Sequence, residues 1–157
     1  MSQNYITDLA AALWAQLPDT ATDWLKSAMA ELSSTYADPE RASELHLRYS
    51  AMARRKLGTE LLAGLSNEAQ WQTSEVGRLM LLAQLLEMSA GQNTRDLVRA
   101  AYKFGDEYEQ VAIIKGLDLI DSEGQLTDLA LATGRTNSLN LYAAIALNNP
   151  YPAHHYY

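Results

Sequence analysis

A weak internal repeat at a spacing of 32 residues is the sequence feature that most constrains the fold. The apolar run at residues 79–82 is echoed at 111–114 and again at 143–146. In the same register, the turn candidate at Asp106 falls on Ser138. One offset that relates several segments is typical of stacked helix hairpins of the HEAT or armadillo kind. Hairpins of similar length can also echo one another by chance, so this alternative stays open.

Helix signals in the first half of the chain predict three helices. Pro18 ends the first helix, and Thr20 or Thr22 is predicted to cap the second. Asp38 followed by Pro39 is a strong start for the third, because Asp caps the helix and Pro fits its first turn. Gly58 is predicted to end that helix. The segment 61–71 is less regular and is predicted to form a short helix and a loop.

The second half predicts a run of shorter helices divided by turn residues. Thr73 opens the most apolar helix, which extends towards Gly91. The next four helices are predicted to start at Asn93 or Thr94, at Asp106, after Gly124, and at Asn137 or Ser138. Pro150 and Pro152 are predicted to prevent any helix from continuing beyond residue 147, because proline lacks the backbone donor and restricts its predecessor.

The fold prediction is a single all-α domain over residues 1–157. Because no segment shows strand-like alternation, we expect stacked antiparallel helix hairpins that form a short HEAT- or armadillo-like solenoid. Residues 1–72 are predicted to form a divergent N-terminal helical cap. Residues 73–148 carry the repeat-like helix pairs, and residues 149–157 form a tail.

Composition excludes several classes of function. The chain has no cysteine, so disulfides and thiolate chemistry are absent. A net charge of −7 opposes nucleic-acid binding and attraction to anionic membranes. The N-terminus lacks the charged and apolar regions of a secretory signal, and the longest apolar stretch is too short to span a membrane. These features predict a cytoplasmic protein with no direct membrane insertion.

No catalytic or metal-binding motif stands out. Glu44 and His46 have the wrong spacing for a di-iron helix bundle, and neither a hydrolase elbow nor a phosphate-binding glycine loop is present. Acidic pairs such as Asp118 with Asp121 fall at predicted helix starts and turns, which favours solvated capping over acid–base chemistry. We therefore predict no cofactor and no metal. Trp14, Trp24 and Trp71 are expected to pack in the core, against the alternative of a ligand pocket or partner anchor.

The C-terminal segment contains the best candidates for binding. An apolar helix is followed there by a proline-stiffened segment with tyrosines and histidines, which could present these side chains at a low ordering cost. The alternatives are a strap that packs over the last helix and a segment that leads into a further helix. The candidate binding residues are Tyr142, Asn149, Pro150, Tyr151, Pro152, His154 and His155.

The same segment resembles the EboA family. The run Arg135-Thr136-Asn137, the apolar helix at 139–147 and Asn149-Pro150-Tyr151-Pro152 carry the resemblance. It implies a role in trafficking secondary-metabolite precursors, in gene clusters that also encode a prenyltransferase-like membrane protein. It provides no catalytic residue and implies that residues 149–152 matter beyond packing. The family pattern continues into further helical sequence, whereas this chain ends at residue 157.

Three functional hypotheses follow. The first is a non-enzymatic helical-repeat protein that binds a protein partner or a small metabolite on the concave face of the stack, with the segment 142–155 at one end. Association with a membrane protein of the same pathway is implied by the resemblance. The second is a small all-α enzyme that joins His154 or His155 to tyrosines and a distant acid. The third is a structural adaptor anchored by Trp14, Trp24 or Tyr142.

Overall fold

The computed structural model describes residues 2–65, 70–89 and 94–156, with side chains from residue 5 onward. Within these ranges the chain forms helices and no strand beyond one isolated antiparallel bridge, so the all-α prediction is confirmed. The helices are α1 (Ser2–Gln16), α2 (Asp19–Ser33), α3 (Pro39–Leu57), α4 (Thr73–Met88), α5 (Thr94–Phe104), α6 (Glu107–Lys115), α7 (Leu117–Ile120), α8 (Thr127–Thr133), α9 (Leu139–Ala146) and α10 (Tyr151–His155). None of the described helices is both long and apolar enough to cross a membrane.

Helix α4 is the centre of the fold. It packs against α1, α2, α3, α5 and α6, and eleven of its residues are buried. Its core side chains include Leu79, Leu81 and Leu82. A helix that is apolar nearly all round must be enclosed by others, because each exposed face would leave hydrophobic area in water. The apolar run found in the sequence therefore supplies the core.

The 32-residue register has a structural counterpart at two helix starts. Asp106 Oδ1 accepts a hydrogen bond from the backbone N–H of Glu109 at 2.9 Å at the start of α6. Ser138 Oγ accepts one from the backbone N–H of Leu141 at 3.3 Å at the start of α9. Helix α6 packs between α4 and α9, which brings the three echoed apolar runs together.

The solenoid prediction is not confirmed by the helix contacts. In a solenoid each repeat contacts only its neighbours. Here α1 packs against both α4 and α7, and α2 also packs against α4. The N-terminal helices thus cover the central helix directly. The division into a cap at 1–72 and repeats at 73–148 stays a prediction.

Two helix boundaries agree with local capping chemistry. Asp38 caps α3 by accepting a hydrogen bond from the backbone N–H of Arg41 at 3.2 Å, and Pro39 is the first residue of that helix. Gly58 ends α3 with a φ of 83°, a backbone conformation that glycine adopts without steric cost.

One boundary prediction is wrong, at the start of α2. Helix α2 starts at Asp19, directly after Pro18, because Pro18 is already extended and its carbonyl accepts from the Thr22 backbone N–H. The described parts of 61–71 contain no helix, and Leu62 donates its backbone N–H to the Trp71 carbonyl at 2.8 Å. Residues 66–69 lie outside the described residues, so the short helix predicted in this segment stays a prediction. The prediction that no helix continues beyond residue 147 agrees with the structure, because α9 ends at Ala146. A separate helix, α10, starts after Pro150, where Pro152 occupies a first-turn position that needs no donor. Gly91 and Asn93 lie outside the described residues.

Candidate functional site

A groove of about 560 Å³ opens where the start of α4, one face of α6 and the end of α9 meet. We call it the α4–α6–α9 groove. Its volume lies within the range of small-molecule sites, and its walls combine apolar and charged side chains. Its lining residues include Trp71, Glu75, Arg78, Glu107, Tyr108, Val111, Lys115, Ala143, Leu147, Asn148 and Asn149.

An ion pair between Glu75 and Lys115 forms one wall of the groove. Lys115 Nζ donates to Glu75 Oε1 at 2.6 Å and to the Gln70 carbonyl at 2.5 Å. Glu75 Oε1 also accepts from the Gln72 backbone N–H at 2.8 Å, at the start of α4, where a carboxylate favours the helix dipole. Lys115 Nζ lies 5.0 Å from the centre of the Trp71 ring. These contacts neutralise both charges within the protein.

Arg78 is a buried cation that lines the groove. Only 4% of the residue is exposed, and its Nε donates to the Ser50 carbonyl at 3.0 Å. Burial lowers the pKa of the guanidinium, and attraction to the more distant Glu109, Asp106 and Glu75 partly opposes this shift. Arginine nevertheless stays protonated in proteins. The groove therefore has a permanent positive charge in its wall.

The rim of the groove joins α3, α6 and α9. The Arg54 guanidinium carbon lies 4.1 Å from the centre of the Tyr108 ring. Glu107 accepts hydrogen bonds from the Ser138 hydroxyl and, at 3.2 Å, from Asn140 Nδ2. These bonds lower the pKa of Glu107. Tyr108 and Glu107 are thus held in place at the entrance.

The two asparagines after α9 form the far end of the groove. Asn148 adopts a φ of 52°, a left-handed conformation that asparagine tolerates better than most residues. Asn149 Nδ2 donates to the Ile114 and Ala144 carbonyls, at 2.9 Å each. Its Oδ1 accepts from the Tyr151 backbone N–H at 3.0 Å. One side chain therefore connects α6, α9 and α10.

Tyr151 anchors the tail beneath α7 and α8. Its side chain is fully buried, and its hydroxyl donates to Asp121 Oδ2 at 2.5 Å. Asp121 also accepts from the backbone N–H groups of Gln125 at 2.9 Å and Leu126 at 2.7 Å. Burial, followed by the hydrogen bond to Asp121, raises the pKa of Tyr151. The prediction of a solvated Asp121 is wrong, because its partners lie in the interior.

The histidines of the tail contact the same region. His154 Nδ1 lies 2.8 Å from Asp118 Oδ1, and His155 Nε2 lies 3.8 Å from the same oxygen. The His155 ring is 4.6 Å from the ring of Tyr151. It also approaches Gly124 so closely that a Cβ built there would lie 2.4 Å from Nδ1.

The structure separates the seven candidate binding residues. Asn149 lines the α4–α6–α9 groove, whereas Tyr142 is 51% exposed on α9. Pro150 precedes α10 and Pro152 lies within it. Tyr151 is in the core, and His154 and His155 face Asp118. The tail is therefore mainly a packed segment that fixes one end of the groove.

The groove residues Glu75, Arg78 and Lys115 were not identified from the sequence. Arg78 interrupts the apolar segment 76–82, and Lys115 follows Ile114 at the end of α6. A single basic residue within an otherwise apolar helix could have indicated this site. When such a helix is buried, the charge requires polar surroundings. Trp71 is buried, as predicted for core packing, and it also lines the groove.

Two other cavities have less suitable linings. A depression of about 750 Å³ between α1 and residues 63–65 is more open, and Asp8 is its only charged lining residue among those described. A void of about 10 Å³ lies between His46, Ser50, Arg78 and Glu109, which is room for about one water molecule. Burial lowers the pKa of His46 to about 4. No group of three potential metal ligands occurs in the part of the chain that the structure describes.

Comparison with known proteins places the chain in one family. No curated protein and no solved structure matches it. The family described as metabolite traffic protein EboA matches residues 6–157, which is nearly the whole chain and includes all the groove residues described above. The chain therefore belongs to the EboA family.

Proposed function

We propose that this protein binds a small metabolite in the α4–α6–α9 groove and holds it, without transforming it, during precursor trafficking in the cytoplasm. The buried Arg78 in the wall of a 560 Å³ groove is the observation that carries this proposal. Concave sites with apolar walls and a few placed polar groups are the usual form of small-molecule sites. Membership of a family described by metabolite traffic supports the same function.

The contacts of the tail argue against chemistry based on its tyrosine and histidines. A general acid or base must reach the substrate through a cavity. Tyr151 is fully buried against Asp121, and His154 is bonded to Asp118. Neither residue lines the groove. The hypothesis of chemistry based on the tail therefore has less support than binding.

The test is recovery of bound small molecules from native cells. The protein is purified from its own cells, and extracted metabolites are identified by mass spectrometry. Val111→Trp places a large side chain in the groove, whereas Leu131→Trp places one on the exposed face of α8. We expect wild type and Leu131→Trp to carry the same metabolite and Val111→Trp to lose it. Equal metabolite content in all three proteins would refute the proposal.

A partner-binding function is the second candidate, because α9 presents apolar side chains to solvent. Leu139 is 84% exposed and Tyr142 is 51% exposed. Trp14 and Trp24, the other predicted anchors, instead pack partly against the core. Tyr142→Ser in the same purification would lose a co-eluting pathway protein if this face binds a partner. Retention of that protein by Tyr142→Ser would exclude Tyr142 as the anchor.

A further inference from the structure

We propose that the α4–α6–α9 groove selects a small ligand with an anionic group, which binds Arg78, and an apolar or aromatic body, which lies along Trp71 and Val111. This inference rests on the proposed binding function and specifies the chemistry of its ligand. The anionic group is a carboxylate or a phosphate, and the test below distinguishes the two.

Arg78 has no bonded anionic partner in the described part of the chain, although carboxylates further away attract its charge. Its Nε is bonded to the Ser50 carbonyl, but its two terminal nitrogens make no hydrogen bond to any residue that the structure describes. No described carboxylate lies within 4.0 Å of the guanidinium. A buried charge is costly unless it is paired and hydrogen-bonded. An anion in the groove would supply that pairing.

The charged side chains that neighbour Arg78 already have partners. Glu75 is paired with Lys115 at 2.6 Å, and Glu107 accepts from Ser138 and Asn140. Glu109 closes the cap of α6 by accepting from the Asp106 backbone N–H at 3.2 Å. Of the two described cations that line the groove, Lys115 is paired and Arg78 is free to form a new charged pair. Guanidinium groups bind carboxylates and phosphates through paired hydrogen bonds, which gives geometric selectivity.

The apolar walls of the groove suit the rest of the ligand. Trp71 and Val111 line the groove together with Ala143 and Leu147, so an apolar body would bury hydrophobic area there. The net charge of −7 disfavours large polyanions, because long-range repulsion grows with their charge. A small molecule with one anionic group is repelled least by the net charge, and it still forms the favourable contact with Arg78.

The test uses an acid and an amide that differ in charge but hardly in shape, and a third probe that carries a phosphate. 4-Phenylbutyrate and its neutral analogue 4-phenylbutyramide are titrated into the protein, with phenyl phosphate as a third probe, and binding is followed by calorimetry. We expect 4-phenylbutyrate to bind at least about tenfold more tightly than the amide, as charge-assisted hydrogen bonds predict. Tighter binding of phenyl phosphate than of 4-phenylbutyrate would identify phosphate as the preferred group.

Variants at Arg78 test the effect of its charge independently of the shape of the groove. Arg78→Met should abolish the preference for the anion, and Arg78→Lys should keep part of it. Arg41→Met, at an exposed surface pair with Glu44, is the matched control and should bind as wild type does. If Arg78→Met fails to fold, the acid–amide comparison in wild type and Arg78→Lys still decides the question.

The outcomes distinguish the two proposals. Equal binding of acid and amide, with both lost in Val111→Trp, would overturn the anion preference and leave the groove as a binding site. No binding of any probe, together with no metabolite recovered from native cells, would overturn both. If Arg78→Met still binds the acid more tightly than the amide, another cation binds the anionic group, and the proposed role of Arg78 is overturned.

Discussion

The hydroxyl of Tyr151 donates a 2.5 Å hydrogen bond to Asp121, thirty residues earlier in the chain. Both residues are buried, and the same carboxylate binds two backbone N–H groups of the turn before α8. The bond thus joins α10 to the turn that leads from α7 to α8. Because a buried carboxylate must keep its donors, the position of the tail depends on this pair.

Tyr151→Phe is expected to destabilise the fold by about 1–3 kcal/mol, because it removes one donor from a buried carboxylate. Urea denaturation followed by circular dichroism measures the change in the free energy of unfolding. Tyr142→Phe, at an exposed position on α9, is the matched control and should stay within about 0.5 kcal/mol of wild type. Equal stability of the two variants would show that the Asp121 bond contributes nothing.

Asn149→Ala is expected to cost about 1–3 kcal/mol, since it leaves the Ile114 and Ala144 carbonyls without their side-chain donor. Asn140→Ala removes an exposed contact with Glu107 and should change stability by less than about 0.5 kcal/mol. Amide hydrogen exchange supplies a second measurement. We expect amides in α9 and α10 to exchange faster in Asn149→Ala but not in Asn140→Ala. Equal protection of these amides in the two variants would contradict the role of Asn149 in connecting the helices.

Gly124→Ala is expected to displace the tail and to cost about 1–3 kcal/mol, because the new Cβ would collide with the His155 ring and the backbone φ is +74°. Gly64→Ala has a similar φ of +80° but no atom within 4 Å, so it isolates the backbone strain. Gly134→Ala lies in ordinary helical backbone and should be neutral. Thermal unfolding should rank Gly124→Ala as the least stable. If Gly64→Ala is equally destabilised, the His155 collision has no measurable cost.

His46 predicts a dependence of stability on pH. Burial lowers its pKa from 6.5 to about 4, so the unfolded chain binds a proton at a higher pH than the folded chain does. Stability present above pH 6.5 is therefore lost as the pH falls towards 4, by up to about 3 kcal/mol. Carboxylates also contribute to acid unfolding, so the useful quantity is the difference between wild type and His46→Met. An identical slope in the two proteins between pH 7 and pH 4 would contradict this assignment.

Helix starts could be predicted from the sequence because capping is local chemistry. Asp38, Asp106 and Ser138 each accept a backbone N–H three residues ahead, so the signal lies within one turn of the chain. The all-α class followed from the same local patterns. The same local reasoning gave a wrong start for α2. Two threonines were better capping candidates than Pro18, which directly precedes the helix.

The groove could not be predicted because its parts meet only through long-range packing. Arg78 and Lys115 come from different helices, and their surroundings depend on how α4 packs against α6. Asp121 was interpreted from its neighbours in sequence, whereas its buried partner, Tyr151, is thirty residues away. Asn149 was identified because the family resemblance covers it. Its three hydrogen bonds explain its position in the fold.

The walls of the groove come from three separate segments of the chain. The groove therefore exists only in the folded protein, and a ligand bound there would slow the loss of that protein. Residues 70–78, 107–115 and 143–149 form its walls only after α4, α6 and α9 have packed together. A ligand bound there binds the folded chain and not the unfolded one. At a concentration one hundred times its dissociation constant, it would add about 2.7 kcal/mol to the free energy of unfolding. If the groove binds a ligand as proposed, loaded molecules would resist proteolysis longer than empty ones.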